Sequence, residues 1–210
     1  MGRVQKALET RNRILDAAED VFNHEGVTRT TLHDIAKAAG VTRGAIYWHF
    51  KNKFDLFEAM FNRFGEPMAA LLEAVIENDA ENPLDELYKV GEFVLQQVAQ
   101  NAQHRKVMNI LFHKCEYIDS SSSIWKLQQE WRSQRVSMIQ KILQKARDKG
   151  QLPPQTDILW ASTLIHATYI GLLSSWLFMP ESFDLMKDAT RINKSILTAL
   201  STGALAPPPD

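Results

Sequence analysis

Two short helical segments joined by a tight turn constrain the fold of this chain more than any other feature. They lie in the sequence TLHDIAKAAGVTRGAIYWHF, residues 31–50. Thr31 and Asp34 have the spacing of a capping box, and Thr42 is placed to cap the second segment. Gly40 can adopt the positive φ that a tight turn requires. These features predict helices at about 31–38 and 42–50, arranged as a helix-turn-helix.

The second segment contains four consecutive rings, Tyr47 to Phe50, which a helix cannot bury together. Ile46 and Phe50, four residues apart, share one face and are predicted to point inward. The opposite face then carries Thr42, Arg43, Gly44, Tyr47, Trp48 and His49. Arginine can bond guanine edges, hydroxyls and imidazole can bond phosphates or bases, and a glycine lets a duplex approach closely. A solvated basic surface with one packed aromatic cluster is the alternative.

The charge distribution favours the nucleic-acid interpretation. Residues 1–53 contain nine Lys/Arg and six Asp/Glu, whereas residues 54–210 contain fifteen and nineteen, although the whole chain has a net charge of -1. A basic N-terminal part on an acidic body is typical of a protein that binds DNA through one domain. Lys53 and Thr31 complete the set of candidate DNA contacts, and Lys53 is expected to contact a backbone phosphate.

The remaining sequence predicts an all-α protein of about nine helices, without a strand or an internal repeat. Residues 157–179 are apolar nearly all round but include Ser, Thr and His residues, so we interpret them as a helix buried on several sides and expect no membrane partner. The last helix has a single apolar stripe that includes Ile192 and Ile196, as an interface helix would. The two helices together predict a homodimer.

Other chemistry has no support in the sequence. The chain has one cysteine, Cys115, and its N-terminus lacks an apolar signal core, so we expect a cytoplasmic protein without internal disulfides. No phosphate-binding loop, dinucleotide fingerprint, nucleophile elbow or metal-ligand spacing is present. We therefore expect neither a cofactor nor a metal, and no enzymatic activity.

The segment TTLHDIAKAAGVTRGAIYWHFKNKFDLF, residues 30–57, resembles the DNA-binding head of the TetR family of transcriptional regulators. The similarity is greatest to the AcrR and TtgR type, the branch that controls multidrug efflux pumps. ILFHKCEY at 110–117 and SSWLFMPESFDL at 174–185 are also similar to that branch.

The resemblance implies a repressor that binds a palindromic operator as a dimer and is released by lipophilic drugs. It implies a DNA-binding domain at residues 1–52, together with the start of the linking helix to about residue 70. It also implies a ligand-binding and dimerisation domain at residues 53–203, before a disordered tail at 204–210. Thr42, Arg43, Gly44, Tyr47, Trp48, His49 and Lys53 match the DNA-contact stretch of the family. A regulator of metabolism that responds to one metabolite is the alternative within the family, and an architectural DNA-binding protein or an enzyme that uses the chamber are alternatives outside it.

The candidate chamber residues are mostly apolar, sulfur-containing or aromatic, which suits bulky and chemically varied ligands. They are Met68, Met108, Phe112, Cys115, Trp131, Met138, Ile165, His166 and Tyr169. Ordinary core packing is the alternative for each of them. Gly65 and Pro67 lie inside the predicted linking helix, and a kink or break is expected there because proline lacks the amide donor.

Overall fold

A computed structural model describes residues 2–78, 80–116 and 123–202, and these form nine helices without a strand. The helices are α1 (Arg3–Glu25), α2 (Leu32–Ala38), α3 (Arg43–His49), α4 (Lys53–Glu77), α5 (Pro83–Gln100), α6 (Ala102–His113), α7 (Ser123–Asp148), α8 (Ile158–Phe178) and α9 (Leu185–Ser201). The all-α prediction with about nine helices is confirmed. The predicted disordered tail lies outside the described residues.

Local capping determines where several helices begin and end. The Thr31 hydroxyl accepts a hydrogen bond from the Asp34 amide, and the Asp34 carboxylate accepts one from the Thr31 amide. The predicted capping box is therefore present. The Thr42 side chain caps α3 by accepting the Ala45 amide at 3.2 Å. Gly40, in the turn between these helices, has a φ of 62°. The helix-turn-helix therefore forms as the sequence predicts.

The chain divides into two compact units, neither of which is continuous in sequence. The first consists of Met1–Gly65 and Gln103–Gln128, and the second of Glu66–Ala102 and Gln129–Asp210. The boundaries fall inside α4 and α7 and at the start of α6. The predicted functional division, with a DNA-binding domain before residue 53 and a ligand-binding and dimerisation domain after it, stays a prediction.

The first unit packs α2 on α1 and α3 on α2. Its core includes Phe22 of α1, Ile35 of α2, Ile46 of α3 and Phe57 of α4, each of them fully buried. The rings of Phe22 and Phe57 meet edge to face, with their centroids 6.1 Å apart. This core fixes the inward face of α3 and thereby decides which side chains the helix exposes.

In the second unit, one apolar cluster joins α4, α5, α7, α8 and α9. The last helix packs chiefly on α5, and Ile196 lies against this cluster. Part of the apolar stripe of α9 thus packs within its own unit, where Ile192 and Ile196 are half-buried, and the role of this helix in a subunit interface stays a prediction. The outward face of α9 instead carries Lys187, Arg191 and Lys194, all exposed.

The helix α8 is long and apolar enough to cross a membrane, by length and composition alone. It contacts α5 and α9, and Ala161, Ile165 and Leu173 are buried. Its two ends expose large apolar side chains, including Trp160 at 54% and Phe178 at 72% of their surface. This pattern agrees with a packing helix whose remaining apolar face is available to another chain.

The linking helix α4 does not break at Pro67. It continues from Lys53 to Glu77 with the proline inside, although Pro67 cannot donate a hydrogen bond to the carbonyl of Arg63. The boundary between the two compact units falls two residues earlier, between Gly65 and Glu66. The expected break is thus absent, and what remains is a helix that lacks one backbone hydrogen bond near a unit boundary.

A buried polar contact holds three helices of the second unit together. The Tyr169 hydroxyl of α8 donates to the side-chain oxygen of Asn193 on α9. A Cβ atom on Gly91 of α5 would overlap the Tyr169 hydroxyl, so glycine is required for α8 to approach α5 in this way. Burial raises the pKa of Tyr169 and keeps its hydroxyl neutral.

We expect Gly91→Ala to lower the free energy of unfolding by about 1–3 kcal/mol, despite the better helix propensity of alanine. The new methyl group must displace the Tyr169 ring and break its hydrogen bond to Asn193. Urea denaturation of the single and double variants measures the effect.

Tyr169→Phe removes the nearest of the three Tyr169 atoms that would clash, and it removes the hydrogen bond to Asn193 that Gly91→Ala already breaks. The double variant should therefore be more stable than the sum of the single effects predicts. Strictly additive effects would contradict the close approach of Gly91 and Tyr169.

Candidate DNA interface and ligand-binding residues

The third helix presents two chemically different faces. Ile46 and Phe50 are 0% and 1% exposed, whereas Tyr47 and Trp48 are 48% and 72% exposed. Thr42, Arg43 and Gly44 at its start are exposed as well, and His49 is half-buried. The structure therefore brings six of the candidate DNA contacts together on one short helix and its cap.

The side chains on this outward face are partly organised by one another. The Arg43 guanidinium carbon lies 5.7 Å from the Tyr47 ring centroid, one helical turn away. The rings of Trp48 and His49 meet edge to face with their centroids 4.6 Å apart. Gly44 has open space around it, since a Cβ atom there would come no closer than 4.0 Å to the Thr42 hydroxyl. The fold itself does not require a glycine at this position.

Two features lower the pKa of His49 below its usual value. Partial burial is the larger cause, and the positive charge of Arg11 on α1 is the second. Both disfavour the imidazolium form, so His49 is mainly neutral near pH 7. A neutral imidazole offers one donor and one acceptor to a neighbouring group.

Thr31 is committed to the start of α2. Its hydroxyl donates a hydrogen bond to the Asp34 carboxylate at 2.6 Å and accepts one from the Asp34 amide. The hydrogen bonds that Thr31 donates to the Asp34 carboxylate lower the pKa of Asp34. To contact DNA, the Thr31 hydroxyl would have to weaken or give up one of its hydrogen bonds to Asp34.

Lys53, at the start of α4, has a role that sequence reasoning did not anticipate. Its ammonium donates to three backbone carbonyls of the loop between α1 and α2, those of Val27, Thr28 and Thr30, at 2.7, 3.0 and 2.8 Å. A lysine has three donors, and all are used here. Burial lowers the pKa of Lys53. A phosphate contact by Lys53 would require one of these bonds to be given up.

The candidate ligand-binding residues are distributed over both units. Met108, Phe112 and Cys115 belong to the first unit, and the other six belong to the second. Ile165 is a member of the apolar core cluster, and Met138 and Tyr169 pack against it. The position of Ile165 is the one expected if this residue serves core packing.

His166 is the histidine of the set and lies in the second unit. Its pKa is lowered, mainly by burial and further by the positive charges of Arg132 and Arg135 on α7. Met68 is buried, while Trp131 is half-buried. Direct ligand contact stays a prediction for all nine residues.

Comparisons with known proteins agree with this geometry. Residues 14–60 match the family described as bacterial regulatory proteins, tetR family, and residues 82–202 match the C-terminal region of MAATS-type transcriptional repressors. The chain belongs to the TetR family of DNA-binding transcriptional regulators.

Two relatives are similar over nearly the whole chain, one compared by sequence and the other by its solved structure. The transcriptional regulator TtgR of Pseudomonas putida is 38% identical over 97% of this chain and 95% of its own length. SmeT, the repressor of the Stenotrophomonas maltophilia multidrug efflux pump SmeDEF, has a structure in complex with triclosan that superposes with a TM-score of 0.86, at 32% identity over 96% of both chains.

A third similar protein is NalD, the secondary repressor of the MexAB-OprM multidrug efflux pump in Pseudomonas aeruginosa. Its crystal structure superposes with a TM-score of 0.81, at 30% identity over 94% of this chain and 98% of that chain. The resemblance to the TtgR branch of the TetR family is confirmed.

In this TetR-family head, a polar network links α1 to α4 and α6, and sequence reasoning missed it. Glu19 of α1 is 2% exposed and accepts hydrogen bonds from Arg63 of α4 and, at 3.3 Å, from Gln103 of α6. Arg63 also pairs with Asp16 at 2.8 Å. Burial raises the pKa of Glu19, and the Arg63 guanidinium opposes that effect. The partners lie far apart in sequence, so no local signal could have revealed them.

We expect Lys53→Ala to lower the free energy of unfolding by about 1–3 kcal/mol, because three loop carbonyls lose their donor. Exposed Lys51, two residues earlier, provides the matched control, and Lys51→Ala should leave stability within about 0.5 kcal/mol of wild type. Urea denaturation and duplex binding should be measured on both variants. A Lys53→Ala protein of normal stability that has lost DNA affinity would show that Lys53 acts as a phosphate contact instead.

Proposed function

We propose that this protein represses a multidrug efflux operon, that it binds a palindromic operator as a homodimer, and that a lipophilic small molecule releases it. Operator binding places the protein in the cytoplasm. The observation that carries the proposal is the outward face of α3, where Arg43, Gly44 and Tyr47 are exposed around a helix anchored by Ile46.

The chemistry of this face suits the major groove of DNA. An α-helix fits that groove, arginine can bond guanine through two hydrogen bonds, and Tyr47 and Thr42 offer hydroxyls to bases or phosphates. Gly44 has no steric role within the protein, and its missing side chain would let the first turn of α3 approach the duplex. These are reasons for assigning base and phosphate contacts to α3.

The exposed apolar ends of α8 support a homodimer. Leu159, Trp160, Phe178 and Met179 are all more than half exposed. Small residues, Ala167 and Gly171, are exposed between these ends. A stripe of this kind suits an antiparallel contact with the same helix of a second copy. Two copies of α3 would then read half-sites about 10 base pairs apart, or a multiple of that.

The relatives support the efflux target and the class of ligand. SmeT and NalD are repressors of multidrug efflux pumps, and SmeT has been crystallised with triclosan, a small lipophilic phenol. Repression is relieved if the ligand favours a conformation in which the two recognition helices no longer fit the operator. By linkage, the ligand then weakens DNA binding by the same factor by which DNA weakens ligand binding.

We expect Arg43→Ala and Tyr47→Ala each to abolish operator binding while changing the free energy of unfolding by less than about 0.5 kcal/mol. Both side chains lie on the exposed face and contribute nothing to the core. The operator is first obtained by selecting a random duplex pool with wild-type protein, and binding is then measured by fluorescence anisotropy.

Arg13→Ala, which removes the same charge from an exposed position on α1, should bind the selected operator nearly as well as wild type. A selected sequence without two-fold symmetry would overturn the dimeric mode of binding. Appreciable unfolding of Arg43→Ala or Tyr47→Ala would show that the side chain is structural.

We expect Pro67→Ala to change the coupling between ligand and DNA while changing DNA affinity in the absence of ligand much less. Alanine restores the amide that α4 lacks at this position, and Pro67 is exposed, so no packing is lost. Triclosan is titrated with and without operator DNA, and the ratio of its two dissociation constants gives the coupling, for which about 5- to 150-fold is typical.

Glu66→Ala, the neighbouring exposed substitution, serves as the control for this helix. A coupling that is the same in wild type, Glu66→Ala and Pro67→Ala would exclude a role for the proline. If neither triclosan nor any other lipophilic drug affects DNA binding, the proposal of a drug-released repressor falls.

A further inference from the structure

The N-terminal turns of α1 extend beyond the core of the first unit. Residues 4, 8, 11, 15, 18 and 22 are three or four apart and therefore share one face of the helix. Leu15, Ala18 and Phe22 are completely buried on that face, whereas Val4 and Leu8 are 74% and 52% exposed. Arg11 lies at the point where this face leaves the core.

Arg11 is held against the end of the recognition helix. Its guanidinium carbon lies 5.3 Å from the centroid of the Phe50 ring, and Phe50 is the C-cap residue of α3. The Phe50 ring is itself buried in the core, so the surface on which Arg11 stacks is fixed. Arg11 is also close enough to His49 for its charge to act on that imidazole.

The donors of Arg11 have no hydrogen-bond acceptor in the part of the chain that the structure describes. Among the described residues, the guanidinium stacks on Phe50 but makes neither a hydrogen bond nor an ion pair. An arginine in the core would ordinarily pair with a carboxylate, as Arg63 does with Asp16. Arg11 instead combines a fixed position, a full charge and five free N–H donors beside α3.

A helix in the major groove has a phosphate backbone on each side, because the groove is only about 12 Å wide. Phosphate contacts hold a recognition helix in register although they carry no sequence information. Arginine binds phosphate oxygens through two parallel hydrogen bonds, and stacking on an aromatic ring orients the planar guanidinium for that purpose. The free donors of Arg11 point to such a partner.

We propose that Arg11 is a DNA-positioning residue, which binds a backbone phosphate beside the C-terminal end of α3 and uses the Phe50 ring as its support. This inference rests on the DNA-binding role of the head. It adds a contact from α1 that neither the motif of α3 nor the charge pattern of the sequence identified.

The test compares three variants on a labelled 30-base-pair duplex of random sequence, with binding followed by anisotropy across a salt titration. Arg11→Met keeps a long side chain over Phe50 but removes the charge. Arg11→Lys keeps the charge but lacks the planar guanidinium that can form two parallel hydrogen bonds. Arg13→Met removes an equal charge from an exposed position two residues away, on another face of α1.

We expect Arg11→Met to lower the slope of log affinity against log salt by about one per bound subunit, and to weaken binding at 0.1 M salt by about tenfold per contact. Arg11→Lys should retain the wild-type slope. Arg13→Met should behave as wild type, and the urea midpoints should show that all three variants remain folded.

An unchanged slope in Arg11→Met overturns the proposal. An equal loss in Arg13→Met also overturns it, because the effect would then be one of overall charge. If Arg11→Met is unstable, a reduced slope in the folded Arg11→Lys variant likewise overturns the proposal. A wild-type protein that binds no duplex at any salt concentration would refute the DNA-binding role itself, which is a separate outcome.

Discussion

The complete burial of Ile46 and Phe50, four residues apart on α3, determines the surface on which the function depends. With these two side chains in the core, the geometry of the helix leaves Arg43, Gly44 and Tyr47 exposed. The loop between α1 and α2 is also held in place by a side chain from a distant segment of the same unit. The Lys53 ammonium supplies this support by tying the carbonyls between α1 and α2 to the start of α4.

Features of the sequence that act over three or four residues were predictable. The cap residues Thr31 and Thr42 and the turn at Gly40 all lie where the sequence predicts them, because each interaction is made within about one helical turn of the chain. Contacts between distant segments were not predictable. Lys53 bonds carbonyls 23 to 26 residues earlier, and Arg63 pairs with Glu19 across 44 residues. Such pairs depend on packing that no local pattern specifies.

The last two helices show a second limit of pattern reasoning. An apolar stripe establishes that a helix buries one face, but it does not identify the partner. The stripe of α9 packs partly on the core of its own unit, where Ile196 is half-buried. The exposed apolar residues Trp160 and Phe178 belong to α8, whose sequence is apolar nearly all round and so gave no stripe to interpret. The surface available to a second subunit is therefore clearer from the structure than from the sequence.

The proline in α4 is a cost that the protein retains, since a proline inside a helix is less favourable than alanine by roughly 3 kcal/mol. Pro67 is exposed, so burial of its side chain offsets little of this cost. The carbonyl to which Pro67 cannot donate belongs to Arg63, whose side chain is anchored to Asp16 and Glu19 of the first unit. The missing amide donor thus lies close to the residues through which α4 is anchored in the first unit, Arg63 and Phe64, the second of which contacts His104 of α6. A helix that only had to support the head would gain stability from an uninterrupted set of hydrogen bonds. A helix that must take a different shape when a ligand binds benefits from one missing bond at this point, because bending there breaks nothing further.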